Sequence, residues 1–178
     1  SKFDLDVKLP NQEKKIFKSF EIPLIGIHNI KNCCASIAVA IMMGISIKTI
    51  KKAIFEFKGV QRRFNFIFEH RKSIYFDDYA HHPTEINELL KSTKNVFGSK
   101  KIISVFQPHR FSRLKLLKKE FSFSFKSSDK LLLCPVYSAG EKKYKNYKEE
   151  EFAKLITKNS DVQVILIKDQ TELNNFFK

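Results

Sequence analysis

The stretch FDDYAHHPTE, residues 76–85, stands between an apolar run and an amphipathic run. Ile74–Phe76 is typical of a buried strand, and Glu85–Leu90 is typical of a helix. The loop between them holds two carboxylates, a phenol and two imidazoles within six residues. A turn does not need this set of side chains, whereas ligands bind at strand ends in open α/β sheets. We therefore predict a functional loop; the alternative is that an Asp and a Thr only cap the helix, with the histidines solvated.

From residue 66 onward, short apolar runs alternate with amphipathic runs. The periodicity predicts five strands, at 66–69, 73–77, 101–106, 130–135 and 162–167. It also predicts four helices, at 84–96, 114–126, 149–158 and 171–177. This alternation is typical of a parallel, Rossmann-like layered sheet. The Lys-, Tyr- and Glu-rich run at 142–150 predicts a mobile, solvated loop.

Residues 1–27 show a weak alternation of apolar and polar residues. This alternation predicts antiparallel strands, and Pro10-Asn11-Gln12 is a candidate turn between them. Leu24–Ile27 predicts a further short strand that stops before His28.

Two helices follow these strands. Asn29 is the candidate N-cap of the first helix, Gly44 ends it, and Ser46 is the candidate N-cap of the second. Asn29 and Asn32 are three residues apart, so they share a face of the first turn. Two amides on one face could pair with the edge of a purine; the alternative is one capping Asn and one solvated Asn.

Two adjacent arginines, Arg62 and Arg63, follow the second helix. Guanidinium groups suit a phosphate or a carboxylate, because they bind such anions in bidentate fashion. Arginine pairs also occur on ordinary surfaces, so this signal is weak alone. We place a domain boundary near residues 62–66, which makes residues 1–63 and 64–178 separate domains.

The composition excludes several classes of protein. The chain has 178 residues, 43% of them hydrophobic, which is enough to bury a core. No apolar run reaches the roughly 18 residues that span a bilayer. The three cysteines lack metal-binding spacing and indicate reduced thiols in a cytoplasm. We expect neither a membrane partner nor a metal site in these residues.

The net charge of +14 raises nucleic acid as a partner. The lysines are scattered, however, and a positive field equally favours small anionic substrates such as nucleotides. The phosphate-binding motifs G-x-x-x-x-G-K-[ST] and G-x-G-x-x-G do not occur in the sequence. We therefore expect no nucleic-acid partner, and any nucleotide handled by this chain needs a phosphate cradle from elsewhere.

Polar side chains also follow the next two predicted strands. The strand at 101–106 leads into Gln107–Arg113, and the strand at 130–135 leads into Pro135–Glu141. Three neighbouring strand ends would then carry polar side chains. The first carries Asp, His and Tyr, the second carries His and two Arg, and the third carries Tyr and Glu. Their convergence at one edge of a parallel sheet predicts a binding site. The alternative is a set of polar groups that only cap loops.

Five motifs, in this order, resemble those of the Mur ligases. They are HNxxN at 28–32, GxxRRF at 59–64, DDYAHHPTE at 77–85, FQPHRxxR at 106–113 and VYxAGE at 136–141. Each motif is modest alone, but the five in sequence order over residues 24–141 are highly specific.

The resemblance implies an α/β fold, in which the end of a central ATPase domain (residues 1–63) precedes a Rossmann-like, parallel-sheet C-terminal domain (residues 64–178). It also implies a longer enzyme with a UDP-binding domain and a Gly-Lys-Thr phosphate loop, which these residues lack. The chain would stop before the last strand of the family fold. We expect no ligase activity from such a fragment alone.

The family branch with these strand-end motifs joins L-alanine to UDP-N-acetylmuramate through an acyl phosphate made from ATP. Magnesium neutralises the phosphates as charge develops. The resemblance implies these partners for the chain, in the cytoplasm, during peptidoglycan precursor synthesis. Two alternatives stay open: the recycling ligase that adds a whole tripeptide to the same nucleotide sugar, and a non-catalytic basic binding module.

The roles of individual residues carry over motif by motif. The resemblance implies that Arg63, at the interdomain hinge, and Asp78, when the domains close, contact ATP during catalysis. It implies a nucleotide-binding set: His28, Asn29, Asn32, Arg63 and Asp78. It implies a substrate-binding set: Tyr79, His81, His82, His109, Arg110 and Arg113. His109 and Glu141 are candidate orienting residues.

Overall fold

A computed structural model describes residues 1–8 and 13–178 of the protein. The predicted turn at Pro10-Asn11-Gln12 lies outside the described residues. The chain divides into two compact units, Ser1–Asp78 and Tyr79–Lys178.

The first unit contains two antiparallel strand pairs and two helices. Its elements are β1 (Lys2–Val7), β2 (Lys15–Glu21), α1 (Ile27–Met42), α2 (Ile47–Glu56), β3 (Asn65–His70) and β4 (Ser73–Asp77). The pairing of β1 with β2 confirms the predicted antiparallel strands. A small apolar core gathers five buried side chains: Phe20, Ile22, Cys33, Ile37 and Ile50.

The predicted end of the first helix and start of the second are confirmed. Gly44 follows α1 with φ 78°, a left-handed conformation that glycine adopts readily. Ser46 is the N-cap of α2, and its side-chain oxygen accepts a hydrogen bond from the backbone N–H of Thr49 (3.2 Å).

The start of α1 differs from the prediction in two respects. Leu24–Ile27 is not a strand, because Gly26, with φ 96° and ψ 142°, leads the chain into a helix at Ile27. Asn29 is not the N-cap, because it lies inside the first helical turn, where its amide Nδ2 donates to the carbonyl of Ile25 (2.7 Å). The apolar run instead supplies Leu24, which packs against the core of the unit.

Strands β3 and β4 form a separate antiparallel hairpin, so their predicted place in the parallel sheet is wrong. Only two residues connect them, Arg71 and Lys72, with φ values of 46° and 68°. Such a two-residue turn joins antiparallel strands, whereas a parallel pair needs a crossover of a dozen or more residues. The predicted bounds of the two strands are confirmed to within one residue.

The second unit is built around a three-stranded parallel sheet, which confirms the predicted sheet type. Its elements are α3 (Pro83–Phe97), β5 (Ile103–Phe106), α4 (Phe111–Leu116), α5 (Lys118–Ser122), β6 (Lys130–Leu133), α6 (Glu149–Ser160), β7 (Gln163–Leu166) and α7 (Gln170–Phe176). The strand order is β5-β6-β7. Leu131–Leu133 on the middle strand is fully buried, as expected for a strand covered on both faces. In the described part of the chain, no helix is long and apolar enough to cross a membrane.

Two short helices, α4 and α5, replace the single helix predicted at 114–126. The helix breaks at Leu117, whose φ and ψ of −113° and 24° are not helical. Phe121 lies in α5 and is buried, and beyond that helix the chain continues in turns, so Phe125 also enters the core while Phe123 stays 39% exposed. The alternating phenylalanines therefore span the end of a short helix and the turns after it, and they do not lie on one face of a helix.

The segment 142–150 is not solvated throughout, contrary to the prediction. Tyr147 is only 3% exposed, and its ring meets Phe111 and Tyr144 edge-on, with centroid separations of 5.5 and 5.4 Å. Burial raises the pKa of the Tyr147 hydroxyl far above its usual value. These aromatic contacts fix the segment against the first residue of α4.

A buried serine ties the end of α6 to the turns after α5. The Ser160 hydroxyl donates to the carbonyl of Ser122 (2.7 Å) and accepts from the backbone N–H of Phe125 (3.2 Å). Ser160→Ala leaves that buried N–H unpaired, so we expect the free energy of unfolding to fall by about 1–3 kcal/mol. Urea unfolding measures this, with exposed Ser99→Ala as the matched control. Equal effects of the two substitutions would contradict the assigned role of Ser160.

Candidate functional site

The loop before α3 carries a capping box formed by a histidine. The His82 Nδ1 accepts a hydrogen bond from the backbone N–H of Thr84 (3.3 Å), and Pro83 is the first helical residue. The Glu85 Oε2 accepts in return from the backbone N–H groups of His81 (3.0 Å) and His82 (3.1 Å). The alternative interpretation, in which an Asp and a Thr cap this helix, is therefore wrong in the residues it names. The spacing of His82, Pro83 and Glu85 is the signal that could have identified this cap.

Tyr79 and His81 form a local pair on the same loop. The His81 Nδ1 lies 2.9 Å from the carbonyl oxygen of Tyr79, and the two rings meet edge-on at 5.1 Å. The Glu85 Oε2 is 3.6 Å from the same nitrogen. When Nδ1 carries the proton and donates to the Tyr79 carbonyl, Nε2 is an acceptor. An acceptor of this kind can receive a hydrogen bond from a substrate amine.

The cap makes a testable prediction for His82. His82→Ala removes the cap, so we expect a loss of about 1 kcal/mol in the free energy of unfolding. His82→Asn restores a capping oxygen and should recover most of that stability. Thermal unfolding of the two variants measures the difference, and equal melting temperatures would contradict the capping role.

The same pair of variants tests His82 as a substrate-binding residue. The cap uses Nδ1, so a substrate contact would use Nε2, which asparagine does not supply. A raised KM for the amino acid in His82→Asn, at wild-type stability, would assign Nε2 to the substrate.

Two strand ends of the parallel sheet come together as predicted. Phe106 of β5 is in register with Leu133 of β6, and the Cys134 backbone N–H donates to the Phe106 carbonyl (2.9 Å). Beyond the strands, His109 and Tyr137 form an isolated parallel bridge, and their rings stack at 5.3 Å with an interplanar angle of 13°. The third predicted strand end, that of β4, belongs to the separate hairpin and does not extend this sheet.

A group of polar side chains lies on these two loops; we call it the strand-end cluster: His109, Arg110, Arg113, Tyr137 and Glu141. The Arg110 Nε is 3.1 Å from the Glu141 Oε1. The Arg113 Nη1 donates to the carbonyl of His109 (2.6 Å), which turns this guanidinium back toward its own loop. Half of the Arg110 side chain (51%) remains exposed despite the ion pair. The cluster thus presents a guanidinium, an imidazole and a phenol, a combination suited to a carboxylate ligand.

Glu141 is the acceptor at the centre of the strand-end cluster. Its Oε1 accepts from the Ser112 hydroxyl (2.6 Å), and its Oε2 accepts from the Ser112 backbone N–H (2.8 Å). These hydrogen bonds, assisted by the Arg110 charge, lower the pKa of the Glu141 carboxyl. The contacts of a carboxylate with a lowered pKa are present at neutral pH and are lost as the pH falls through that lowered value.

Ser112 is a site residue that the sequence did not single out. It is the second residue of α4 and lies 29 positions before its partner, Glu141. A serine at the start of a helix is a capping signal, but that signal does not name a distant acceptor.

The nucleotide-binding set lies in the first unit. Asp78 accepts through Oδ2 from the backbone N–H of Phe64 (2.7 Å), which holds the residue after β4 beside the Arg62-Arg63 pair. The Arg62 Nε is 3.8 Å from the Asp77 Oδ2. Arg63 itself is exposed, and its backbone N–H donates to the Val60 carbonyl (3.2 Å). The predicted arginine and carboxylate motifs are therefore brought together locally.

His28, Asn29 and Asn32 occupy the first two turns of α1. One N–H of the Asn29 amide is used within the chain, by the carbonyl of Ile25. The His28 Nδ1 is buried and has no hydrogen-bond partner among the residues described. The side chain of Asn32 is exposed. The three residues share one helix start, as the motif predicted.

Within residues 1–8 and 13–178, no group of three or more His, Cys, Asp or Glu side chains is placed to hold a metal ion. We therefore assign no metal ligand to them.

The chain is similar in sequence to one protein family and to several of its members. The profile of the family described as "Mur ligase, glutamate ligase domain" matches residues 62–176. The UDP-N-acetylmuramate–L-alanine ligase of Pelagibacter ubique is 52% identical over 178 residues, which is 100% of this chain and 38% of that protein. The ligase of the same name from Brachyspira hyodysenteriae is 48% identical over 122 residues, 68% of this chain and 26% of the relative. The chain thus spans well under half the length of these relatives.

Solved structures agree with the fold. The crystal structure of the UDP-N-acetylmuramate-alanine ligase of Thermotoga maritima matches with a TM-score of 0.69 and 27% identity, over 89% of this chain and 33% of that one. A murein peptide ligase from Psychrobacter arcticus matches with a TM-score of 0.67 over 98% of this chain and 35% of that one. Its identity is 20%, so this second likeness concerns the fold alone.

Proposed function

The chain belongs to the Mur ligase family, and we propose that it is the C-terminal part of a longer ligase that joins L-alanine to UDP-N-acetylmuramate in cytoplasmic peptidoglycan synthesis. The observation that carries this proposal is the 52% identity, over the whole chain, to a ligase of that name. The strand-end cluster supports it, because its guanidinium groups suit the carboxylate of a small amino acid.

We also propose that residues 1–63 end a central ATP-binding domain and that residues 64–178 form the amino-acid-binding domain. The start of the family match at residue 62 supports this boundary. The division into compact units falls later, after Asp78, so β3 and β4 belong to the first unit.

The proposed reaction has two steps. The lactyl carboxylate of the nucleotide sugar attacks the γ-phosphorus of ATP, which forms an acyl phosphate and releases ADP. The alanine amine then attacks the acyl carbon, the C–O bond to phosphate breaks, and inorganic phosphate leaves with the amide formed. The chain contributes by holding the amine in place, since orienting a bound reactant lowers the entropic part of the barrier.

In this proposal the second unit binds the amino acid. Arg110 holds the alanine carboxylate, and Arg113 adds to it the part of its guanidinium that the His109 carbonyl does not use. The His109 ring, stacked on Tyr137, lies on the same loop. On the loop before α3, the His81 Nε2 and the Tyr79 hydroxyl are the proposed acceptors of hydrogen bonds from the amine. His82 contributes to amino-acid binding in two ways in this proposal. Its Nδ1 caps and so positions α3, and its Nε2 contacts the substrate.

In the first unit, the proposed nucleotide-binding residues are His28, Asn29, Asn32, Arg63 and Asp78. Asn29 and Asn32 suit the adenine edge, and Arg63 suits the ribose or phosphates. Family members use Mg²⁺ to neutralise the phosphates, but the residues described here do not form a site that fits it. Its ligands are therefore proposed in the part of the longer protein that carries the phosphate loop.

The test is a ligation assay on the complete protein that carries this chain. With UDP-N-acetylmuramate, ATP and L-alanine, we expect stoichiometric ADP, phosphate and the alanyl product, measured by mass spectrometry. The same assay with the L-Ala-containing tripeptide in place of L-alanine distinguishes the recycling ligase. Preference for the tripeptide would overturn the alanine assignment.

The chain alone is the matched control for that assay. We expect residues 1–178 to give no ligation product, because the Gly-Lys-Thr phosphate loop of the family is not among them. Turnover by the isolated chain would contradict this.

The net charge of +14 favours one other candidate, a basic module that binds nucleic acid. Titration with DNA decides it, since tight binding with a steep salt dependence would support that module.

A further inference from the structure

One segment, Tyr137–Tyr147, holds the start of helix α4 from two sides. On the polar side, the Glu141 carboxylate contacts the Arg110 Nε at 3.1 Å and accepts two hydrogen bonds from Ser112. On the apolar side, the buried Phe111 ring lies between these residues in sequence and packs edge-on against Tyr147. Every residue of Arg110–Ser112 is therefore fixed by side chains of a single neighbouring segment.

The position of Arg110 depends on this arrangement. Arginine has a long side chain with many rotamers, and binding a ligand with a freely moving arginine loses that freedom. The Glu141 contact at Nε fixes one edge of the planar guanidinium, while half of the side chain stays exposed. A guanidinium fixed before binding loses less freedom for each hydrogen bond it forms.

We infer that Glu141 is a positioning residue, which fixes the guanidinium of Arg110 in the orientation that receives the carboxylate of the amino-acid substrate. This inference rests on the proposed function, because it takes Arg110 as the carboxylate-binding residue. Glu141 itself does not contact the substrate. Its effect on the reaction passes through Arg110.

A purely structural role for Glu141 makes a different prediction. In that role the carboxylate only receives the Ser112 N–H and hydroxyl and so stabilises the start of α4. Glu141→Gln separates the two roles. The amide oxygen can accept from the Ser112 backbone N–H and the amide NH2 can donate to the Ser112 hydroxyl, whereas the acceptor and the negative charge beside the Arg110 Nε are lost.

The experiment is a double-mutant cycle in the complete ligase, with Glu141→Gln, Arg110→Ala and the two combined. We expect Glu141→Gln to raise the KM for L-alanine about tenfold and to leave kcat, the KM for ATP and the melting temperature close to wild type. In the Arg110→Ala background, the same substitution should change the KM for L-alanine by less than about twofold, because the guanidinium that Glu141 positions is absent.

Glu151→Gln is the matched control. Glu151 forms an exposed ion pair of the same length, 3.1 Å, with Lys148, outside the strand-end cluster. We expect this variant to behave as wild type in every measurement.

Two results would overturn the inference. The first is an equal multiplication of the KM for L-alanine by Glu141→Gln in both backgrounds, which would mean that the effect does not pass through Arg110. The second is a lowered melting temperature with a raised KM for every substrate, which would leave only the structural role. A wild-type ligase that does not accept L-alanine would instead overturn the proposed function, and the inference with it.

Discussion

Arg110→Ala in the complete ligase is expected to raise the KM for L-alanine about 100-fold and to leave the KM for ATP within roughly twofold. The reason is that the substitution removes the exposed guanidinium at the end of β5, which we propose as the main partner of the alanine carboxylate. Charge-assisted hydrogen bonds to a carboxylate are about twice as strong as neutral ones, so their loss is large. Steady-state kinetics with each substrate varied in turn measures the effect.

Two further variants sharpen the test of Arg110. Arg110→Lys keeps the charge but loses the planar fork, so its KM for L-alanine should lie between those of the wild type and Arg110→Ala. Lys142→Ala removes an exposed positive charge next to Glu141 in sequence and should leave all constants unchanged. If Lys142→Ala raises the KM as much as Arg110→Ala does, the effect is one of general charge and Arg110 is not in the pocket.

Leu131→Ala is expected to have the largest effect on stability, a loss of about 2–5 kcal/mol in the free energy of unfolding. Leu131 lies on the middle strand of the parallel sheet and is 0% exposed. The truncation removes buried methyl groups and leaves a cavity between the sheet and the helices. Native domains are stable by only about 5–15 kcal/mol, so this loss is a large share of the total. Urea unfolding followed by circular dichroism gives the value.

The same substitution on the surface provides the control. Leu116 is 79% exposed at the end of α4, so Leu116→Ala should change the free energy of unfolding by no more than about 0.5 kcal/mol. A loss below about 1 kcal/mol for Leu131→Ala would mean that β6 is not the centre of a packed core.

Much of the fold was predictable because local periodicity decides it. The apolar pattern predicts the parallel strands and the helices between them, and three of the four residues of the middle strand are leucines, Leu131–Leu133. The errors occurred where tertiary contacts or single backbone angles decide. Leu24 packs on a core instead of entering a strand. The helix after β5 breaks at Leu117. A leucine does not signal a helix break in the sequence, as a glycine or proline would.

The candidate site was predicted in its residues but not in its partnerships. The positions of His109, Arg110 and Glu141 at strand ends follow from sequence order. The contact between Glu141 and Ser112 does not, because the two are 29 residues apart and many polar groups could pair across that interval. The roles assigned to the nucleotide- and substrate-binding sets remain predictions, and the substitutions above address the main one.

The strand-end cluster also has an evolutionary consequence, because all five of its members come from one β–α–β unit that spans β5 to the loop after β6. A single recombination event that exchanged residues 107–141 would transfer the guanidinium groups, the carboxylate that orients one of them and the stacked aromatic pair as one cassette. Under the proposed function, such an exchange would replace the carboxylate-binding part of the amino-acid site in one step, while the loop before α3 that carries Tyr79 and His81 would keep its origin.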